Sequence, residues 1–203
     1  MKRIFAILTL LALLALTACG GADTPDGVYT ERAETTDTVT NYVQIELENG
    51  GIIQLELYPD VAPQTVANFQ KLVSEHFYDG IIFHRVISGF MIQGGDPEGT
   101  GYGGSDENVY GEFTSNGFAN NLSHERGVLS MARRGNDNNS ASSQFFIMHQ
   151  DTYASSLDGD YAAFGRVTAG METVDWIAAQ ATNSSDKPLE NIVMKEVRFI
   201  EGK

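Results

Sequence analysis

The feature that most constrains the fold of this chain is a succession of short strand-like runs separated by Gly, Asn and Asp. Five such runs lie in the middle of the chain, and a last one covers residues 192–200. The five runs are residues 81–86, 90–93, 127–132, 144–148 and 162–167. Glycine is frequent, at 21 residues, and proline is rare, at 5, which favours many turns between short strands over a helical bundle.

A β-hairpin precedes these runs. Apolar residues alternate with polar ones over residues 43–47 and again over residues 53–57, which predicts two strands with one apolar face. Asn49-Gly50 lies between them, and this dipeptide favours the tight turn of a hairpin. The ordered domain is therefore expected to begin near Tyr42.

Two helices are predicted among the strands. The first begins at Pro63, since proline is tolerated in the first turn of a helix, and Val66, Phe69 and Val73 follow at the spacing of one buried stripe. The second helix is short and covers residues 171–179. Many short strands with two helices and no β-α-β alternation predict a mostly β fold, a closed antiparallel barrel covered by the helices.

The first residues of the chain have the layout of a secretory signal peptide. Lys2 and Arg3 give a positive start, and the apolar run over residues 4–16 is shorter than the roughly 20 residues of a membrane-spanning helix. The tetrapeptide Leu16-Thr17-Ala18-Cys19 resembles the bacterial lipobox, whose cysteine is lipidated before cleavage in front of it. The alternative is an ordinary signal peptide with a coincidental cysteine.

Three segments follow from the lipobox interpretation. Residues 1–18 form a lipoprotein signal peptide, residues 19–40 a lipidated N-terminus with a flexible linker, and residues 41–203 a single folded domain. Cys19 is the lipidated residue, and as the single cysteine of the chain it excludes a disulfide within it. The predicted location is extracytoplasmic, with a lipid anchor in the bacterial cell membrane.

The charge of the chain argues against nucleic acid as a partner. The sequence has 13 Lys and Arg and 27 Asp and Glu, a formal net charge of −14. Loss of Lys2 and Arg3 with the signal peptide would take it to −16. Binding to nucleic acid depends on Lys and Arg that neutralise phosphates. The acidity is better explained by solubility.

The segment FHRVISGFMIQGGD, from Phe83 to Asp96, carries the most informative residues. It places Arg85 and Gln93 eight residues apart among large apolar residues. Judged by residue type alone, the arginine is a surface ion-pair residue, and the apolar residues belong to the core.

Three sequence blocks change this interpretation. The first, FHRVISGFMIQGGD, resembles the signature of the cyclophilin family. The second, SSQFFI at residues 142–147, resembles a strand of that family, and the third runs from LDG at 157–159 to AFG at 163–165. The blocks come in the family's order, and the resemblance covers residues 42–200. Each block alone is moderate evidence for the family, whereas three blocks in register are strong evidence for it.

The resemblance implies a peptidyl-prolyl cis–trans isomerase with an eight-stranded antiparallel barrel, two capping helices and an outer groove for X–Pro segments. It implies no cofactor and no metal. The implied catalytic residues are Arg85, Phe90 and Gln93. The implied substrate-binding residues are Met91, Ala132, Arg133, Gln144, Phe146, Leu157 and Tyr161. Proline-containing polypeptides are the implied substrates, and a monomer is predicted.

The implied residue types suit the reaction. Rotation about an X–Pro bond interrupts amide resonance, makes no new bond and takes tens to hundreds of seconds without help. The Arg85 guanidinium could donate to the prolyl nitrogen when the amide twists, and an interaction made only in the twisted state accelerates the reaction. Gln93 would orient Arg85 or the substrate carbonyl, and the apolar residues would form a dry pocket for the proline ring.

The sequence departs from the family at several of these positions. Ser156 stands where many members have a tryptophan that contacts cyclosporin, and Tyr161 where many have a histidine. Arg133-Arg134 replaces a common Asn-Ala pair. These departures bear on drug sensitivity and substrate preference, and none removes the implied catalytic arginine.

Other interpretations are weaker. Residues 99–104 match G-x-G-x-x-G, but the segment after them does not begin a helix of the dinucleotide-binding kind. The run is instead expected to be a glycine-rich loop whose backbone passes close to the groove. His84 is expected to be a hydrogen-bonded structural residue, and the four histidines form no metal-ligand pair. The alternative from another class is a module that holds proline-containing segments without turning them over. The presence of Arg85, Phe90 and Gln93 favours the enzyme.

Overall fold

The computed structural model describes residues 24–202, so the predicted signal peptide and Cys19 lie outside the described residues. The strands are β1 (Tyr42–Leu47), β2 (Ile52–Leu57), β3 (Arg85–Ile87), β4 (Met91–Gly94), β5 (Val128–Met131), β6 (Phe145–Met148), β7 (Ala163–Ala169) and β8 (Met194–Phe199). The helices are α1 (Pro63–Ser74), α2 (Ala154–Leu157) and α3 (Met171–Ala178). No helix within residues 24–202 is long and apolar enough to cross a membrane.

The predicted hairpin is present. β1 pairs with β2 in antiparallel register, with Ile45 opposite Ile53. Gly50 in the turn has a φ of 85°, a conformation that glycine adopts without steric cost. The Asn49 side chain accepts a hydrogen bond from the Gly51 amide, which closes the turn.

The two predicted helices are also present. Pro63 lies in the first turn of α1, and the stripe of Val66, Phe69 and Val73 is buried as its spacing predicts. The Phe69 ring meets Phe145 edge to face, with centroids 5.6 Å apart, and thereby packs α1 against the sheet. The four-residue helix α2 was not predicted, because one turn is too short to show a periodic pattern.

The sheet has eight strands, as implied, but the prediction of a closed barrel is wrong. The strand order is β3-β4-β6-β5-β7-β2-β1-β8, and all pairings in this sheet are antiparallel. The edge strands β3 and β8 form no ladder with each other. An isolated bridge between Ile82 and Val193 lies between these edges, and the Val86 amide donates to the Asp186 carbonyl instead of to β8. The loop before β8 thus occupies the place where a closing ladder would run, and the sheet is a curled half-barrel.

Residues 29–36, which we call the strap, differ from the flexible linker predicted over residues 19–40. The Tyr29 carbonyl accepts a hydrogen bond from the Ile52 amide at 2.7 Å, and Thr35 forms a bridge with Ile200. The Ala33 amide donates to the Gln44 side chain at 2.9 Å. The strap therefore lies against β1, β2 and the end of β8.

The strap explains an unexpected burial pattern in the hairpin. Alternation predicts that one face of β1 and β2 meets solvent, yet Gln44, Glu46 and Gln54 are 4%, 7% and 5% exposed. Arg32 in the strap pairs with Glu46, and Gln54 donates to the Glu31 carbonyl. The polar face is thus covered by backbone and charged groups that satisfy it, in keeping with the cost of burying unpaired polar atoms.

The sheet buries apolar side chains on both faces. The main core lies on the face of the sheet that packs against α1 and α3, and it includes Phe69, Phe145 and Phe164. A second, smaller apolar cluster is formed by Met91, Val128, Phe146, Met148, Leu157 and Ala163. Because successive residues of a strand point to opposite faces, Phe145 belongs to the first cluster and Phe146 to the second. The second cluster forms the floor of the candidate site.

Candidate functional site

Strand pairing places three of the implied site residues in one row. Arg85 on β3 lies directly opposite Gln93 on β4, and Gln93 lies opposite Phe146 on β6. Residues that face each other across strands share one face of the sheet. The eight-residue spacing of Arg85 and Gln93 is therefore the spacing of a cross-strand pair in the β3–β4 hairpin.

A chain of hydrogen bonds fixes the polar side of the site. Arg85 Nη1 donates to Gln93 Oε1 at 3.4 Å, and Gln93 Nε2 donates to Gln144 Oε1 at 2.8 Å. Gln144 Nε2 in turn donates to the carbonyl oxygens of Gly101 and Gly103, at 3.1 and 2.8 Å. Because each amide has both a donor and an acceptor in use, the orientation of Gln93 is set by its neighbours.

The Arg85 guanidinium remains accessible in this arrangement. Its side chain is 42% exposed, and its Nε lies 3.7 Å from a carboxylate oxygen of Asp186. The bond to Gln93 uses one of its five N–H donors, so others can reach a ligand in the groove.

Apolar side chains form a pocket beside the arginine. Met91, Phe146 and Leu157 are buried, at 1%, 4% and 7% exposed, and Phe90 packs against them. The Tyr161 ring meets Phe146 edge to face, with centroids 5.9 Å apart. The walls and floor of the pocket are thus mostly hydrocarbon, which suits a proline ring.

The chain after β5 forms the next part of the site. The Ala132 amide donates to the Gln144 carbonyl at 2.9 Å, so that amide is engaged within the protein. The Arg133 guanidinium carbon lies 4.8 Å from the centre of the Tyr161 ring, a cation–π distance. Arg133 therefore supports the rim of the apolar pocket.

These residues line one continuous groove. Nine of the ten implied residues line a cavity of about 850 Å³, and Gln144 lines an adjoining cavity of about 350 Å³, which we call the side groove. The structure adds further lining residues from three segments: the residue before Arg85, the glycine run and the loop before β8. They are His84, Gly99, Thr100, Gly101, Tyr102, Asn183, Ser185 and Lys187. One available signal was Tyr102, an aromatic residue within a glycine run, which is 95% exposed.

The glycine run folds around a buried carboxylate. Asp96, 1% exposed, accepts hydrogen bonds from the amides of Glu98, Thr100 and Gly101. Burial alone would raise the pKa of Asp96, but these amide hydrogen bonds outweigh it and lower the pKa. The amides that a phosphate would need are therefore engaged by Asp96, which removes the basis for a nucleotide site at G-x-G-x-x-G.

His84 lies under this loop. Its ring is 4% exposed, and neither ring nitrogen has a hydrogen-bond partner among the described residues, contrary to the prediction of a hydrogen-bonded histidine. Burial lowers its pKa, although the nearby Asp96 carboxylate acts in the opposite direction. The neutral ring therefore acts as packing between the loop and the groove floor.

Comparisons with known proteins agree with this site. Residues 42–199 match the family model described as cyclophilin type peptidyl-prolyl cis-trans isomerase/CLD. Peptidyl-prolyl cis-trans isomerase B of Bacillus subtilis is 47% identical over 156 residues, which cover 77% of this chain and 95% of the relative. Peptidyl-prolyl cis-trans isomerase ppi1 of Schizosaccharomyces pombe is 45% identical over 148 residues, covering 72% and 92%.

A solved structure shows the same fold. The crystal structure of a cyclophilin type peptidyl-prolyl cis-trans isomerase of Cryptosporidium parvum superposes with a TM-score of 0.73 at 33% identity. The match covers 80% of this chain and 99% of that one. With its site geometry, its family match and these relatives, the chain belongs to the cyclophilin-type peptidyl-prolyl cis–trans isomerases.

Proposed function

We propose that this cyclophilin isomerises X–Pro bonds of polypeptides outside the cytoplasm, while a lipid on Cys19 holds it at the cell membrane. The observation that supports its reaction centre is the Arg85 guanidinium, held by Gln93 beside a pocket of Phe90, Met91 and Phe146. A cation at the edge of an apolar cavity is an arrangement that can accelerate the rotation of a proline amide.

The proposed substrate position follows from the shape of the groove. The proline ring enters the pocket over Phe146, and the residue before proline lies along Ala132 and Arg133. A crystal structure of the Cryptosporidium parvum relative was determined in the presence of the dipeptide Ala-Pro, which is a ligand of the kind proposed here. Tyr161 closes the far side of the ring pocket through its contact with Phe146.

In this position Arg85 performs the chemical step. In the planar amide, the lone pair of the prolyl nitrogen is delocalised into the carbonyl, and it becomes available as an acceptor when the bond twists. A guanidinium N–H can then donate to that nitrogen, and the low polarity of the pocket strengthens the bond. Because this hydrogen bond exists in the twisted state and not in the planar ones, it lowers the barrier.

The test of the activity is an exchange measurement on a short peptide. We expect chelator-treated protein to accelerate cis–trans exchange of an Ala-Pro peptide, as measured by two-dimensional NMR. A rate equal to the uncatalysed rate would contradict the proposed activity. Tight peptide binding with no acceleration would instead support the alternative of a holding module.

The proposed anchor rests on the lipobox-like sequence before Cys19. Mass spectrometry of protein purified from bacterial membranes should find a mature chain that begins at Cys19 and carries lipid. Cys19→Ala should abolish the lipid and, because lipidation precedes cleavage, leave residues 1–18 on the chain, without a change in isomerase rate. An unmodified Cys19, or a mature chain that begins downstream of it, would overturn the anchor and leave the proposed reaction untouched.

A further inference from the structure

The charge of the groove is opposite to the charge of the chain. The main cavity and the side groove are together lined by four cationic residues, Arg85, Arg133, Arg134 and Lys187. Within residues 24–202, no Asp or Glu lines either of the two. In a chain with 27 acidic and 13 basic residues, such a lining concentrates positive charge at the site.

The cations of the groove have few carboxylate partners. Arg133 donates to the carbonyl oxygens of Asp160, Arg134 and Gly135, which hold its position but leave its charge uncancelled. Lys187 Nζ likewise donates to the Gly99 carbonyl at 3.0 Å. Arg85 is the groove cation with a carboxylate within 4 Å, Asp186 at 3.7 Å. Of the six other Lys and Arg within residues 24–202, Arg166 has no such partner, and five do: Arg32, Lys71, Arg126, Lys195 and Arg198.

Arg134 is the cation placed for a ligand in the side groove. Its amide is fixed by the Ser140 hydroxyl at 2.8 Å, and its side chain is exposed and forms no salt bridge within residues 24–202. An arginine guanidinium is a charged donor that binds carboxylates through strong, often bidentate hydrogen bonds.

The side groove adjoins the site at a defined place. Gln93, Ala132 and Arg133 line both it and the main cavity. In the proposed substrate position, the residue before proline lies beside Ala132. The residues that precede it in the substrate therefore run past Gln144 into the side groove.

We infer that the side groove, with Arg134 at its rim, is a subsite for a carboxylate side chain, and that the enzyme favours X–Pro segments with Asp or Glu before the X residue. The inference rests on the proposed position of the proline ring. Exposed ion pairs contribute little, so we expect a preference of about two- to five-fold. The contact is far from the twisting amide and forms equally in planar and twisted states, so it should lower KM and leave kcat unchanged.

The test compares peptides of sequence acetyl-Xaa-Ala-Pro-Phe-amide in which Xaa is Glu, Gln or Lys. NMR exchange should give the lowest KM for Glu, an intermediate one for Gln and the highest for Lys. Arg134→Gln should bring the Glu and Gln values together, and Arg134→Glu should invert the order. About 0.5 M NaCl should weaken the Glu preference of the wild type by screening.

Arg198→Gln provides the matched control. It changes the net charge by the same amount, but Arg198 lies on β8, is paired with Glu196 and lines neither groove. This variant should keep the full Glu preference. Equal KM for Glu and Gln peptides in the wild type, or a preference that persists in Arg134→Gln, would overturn the subsite.

Calorimetric titration of the same peptides separates this inference from the proposed function. It should show tighter binding of the Glu peptide even if turnover were absent. Acceleration of all peptides without a Glu preference would contradict the subsite and support the isomerase. A Glu preference in binding without any acceleration would support the subsite and contradict the isomerase.

Discussion

Arg85 combines two properties that usually exclude each other, a fixed position and an accessible charge. The cross-strand bond to Gln93 and the onward bond to Gln144 restrain the guanidinium, while 42% of its side chain remains exposed. A preorganised donor is useful in catalysis because it does not have to reorient as the charge distribution changes.

Arg85→Ala should therefore lower turnover far more than binding. Loss of one preorganised donor typically costs roughly 10²–10³-fold in rate. Arg85→Lys keeps the charge but loses the planar fork, so it should restore only part of the rate. NMR exchange measures kcat, and calorimetry measures the peptide affinity. Thermal unfolding verifies that each variant folds.

Phe90→Ala should be compared with Arg85→Ala in the same two measurements. It empties part of the ring pocket, so it should weaken peptide binding as well as turnover. A folded Arg85→Ala protein with near wild-type turnover would refute the proposed role of the guanidinium. Equal losses in binding and turnover would favour the holding module.

Two buried histidines predict a loss of stability in acid. Burial lowers the pKa of His124, although Asp158 acts in the opposite direction, and burial also lowers that of His84. The unfolded chain then binds more protons than the folded one as the pH falls below the ordinary histidine value of 6.5. Stability should therefore be full above that value and decline as the pH falls from it toward the lowered folded-state pKa values, which thermal unfolding between pH 8 and about 5 can measure.

Substitutions should distinguish the two histidines. His84→Leu removes a ring with no hydrogen-bond partner among the described residues, so it should cost little at pH 8 and flatten the pH dependence. His124→Leu breaks hydrogen bonds to Asp158 and Ser130, both under 3 Å, and should cost about 1–3 kcal/mol at pH 8. An unchanged acid profile in both variants would show that other groups cause the acid loss.

At the scale of elements, the strap and the groove use different parts of the sheet. The groove lies over β3, β4, β6 and the end of β5, whereas the strap contacts β1, β2 and the end of β8. β7 separates the two groups of strands in the sheet order. Changes in the strap should therefore affect stability without affecting the site.

A chain that begins at Tyr42 tests this separation. Without the strap, Glu46 loses one of its two cationic partners, and Ile52 loses the acceptor of its amide. These polar groups would become hydrated, so the expected cost is modest, about 1–3 kcal/mol of unfolding free energy. Relative to a chain that begins at Thr24, we expect a lower Tm and an equal kcat/KM. Equal Tm values would show that the strap contributes nothing to the fold.

Local patterns predicted the elements well and their surroundings less well. The alternation over residues 43–57 and the stripe from Val66 to Val73 correspond to β1, β2 and α1, because each pattern reflects burial along one element. The strap escaped prediction because it has no apolar periodicity and binds through its backbone and polar side chains. The open edge between β3 and β8 escaped it too, since strand pairing between distant segments leaves no local signature.

The site was predicted to a similar degree. Nine of the ten implied residues line one groove. The first block places Arg85, Met91 and Gln93 on the paired strands β3 and β4, and Phe146 lies next to them on β6. Lys187 comes from the loop before β8, far from the motif in sequence, and only the folded chain brings it to the same cavity. The positive lining of that cavity could not be read from composition, because the chain as a whole is strongly acidic.

For the whole molecule, the acidity predicts a stabilising effect of salt. With 27 acidic and 13 basic residues, the folded protein concentrates negative charge, and self-repulsion destabilises the compact state. Raising NaCl from about 10 mM to 150 mM shortens the Debye length from about 30 Å to 8 Å and should raise the Tm. An unchanged or falling Tm would indicate that the ion pairs, which salt also weakens, outweigh the repulsion.

The strap also sets a working distance. If Cys19 carries the lipid, it lies ten residues before Tyr29, whose main-chain carbonyl accepts from the Ile52 amide in the first hydrogen bond to the sheet among residues 24–202. Ten residues span at most about 33–36 Å, even when fully extended. A linker that ran free to residue 40 would have about twice that reach. With the proposed anchor, the enzyme would then stay within a shallow layer above the lipid surface and act on prolines that are exposed there.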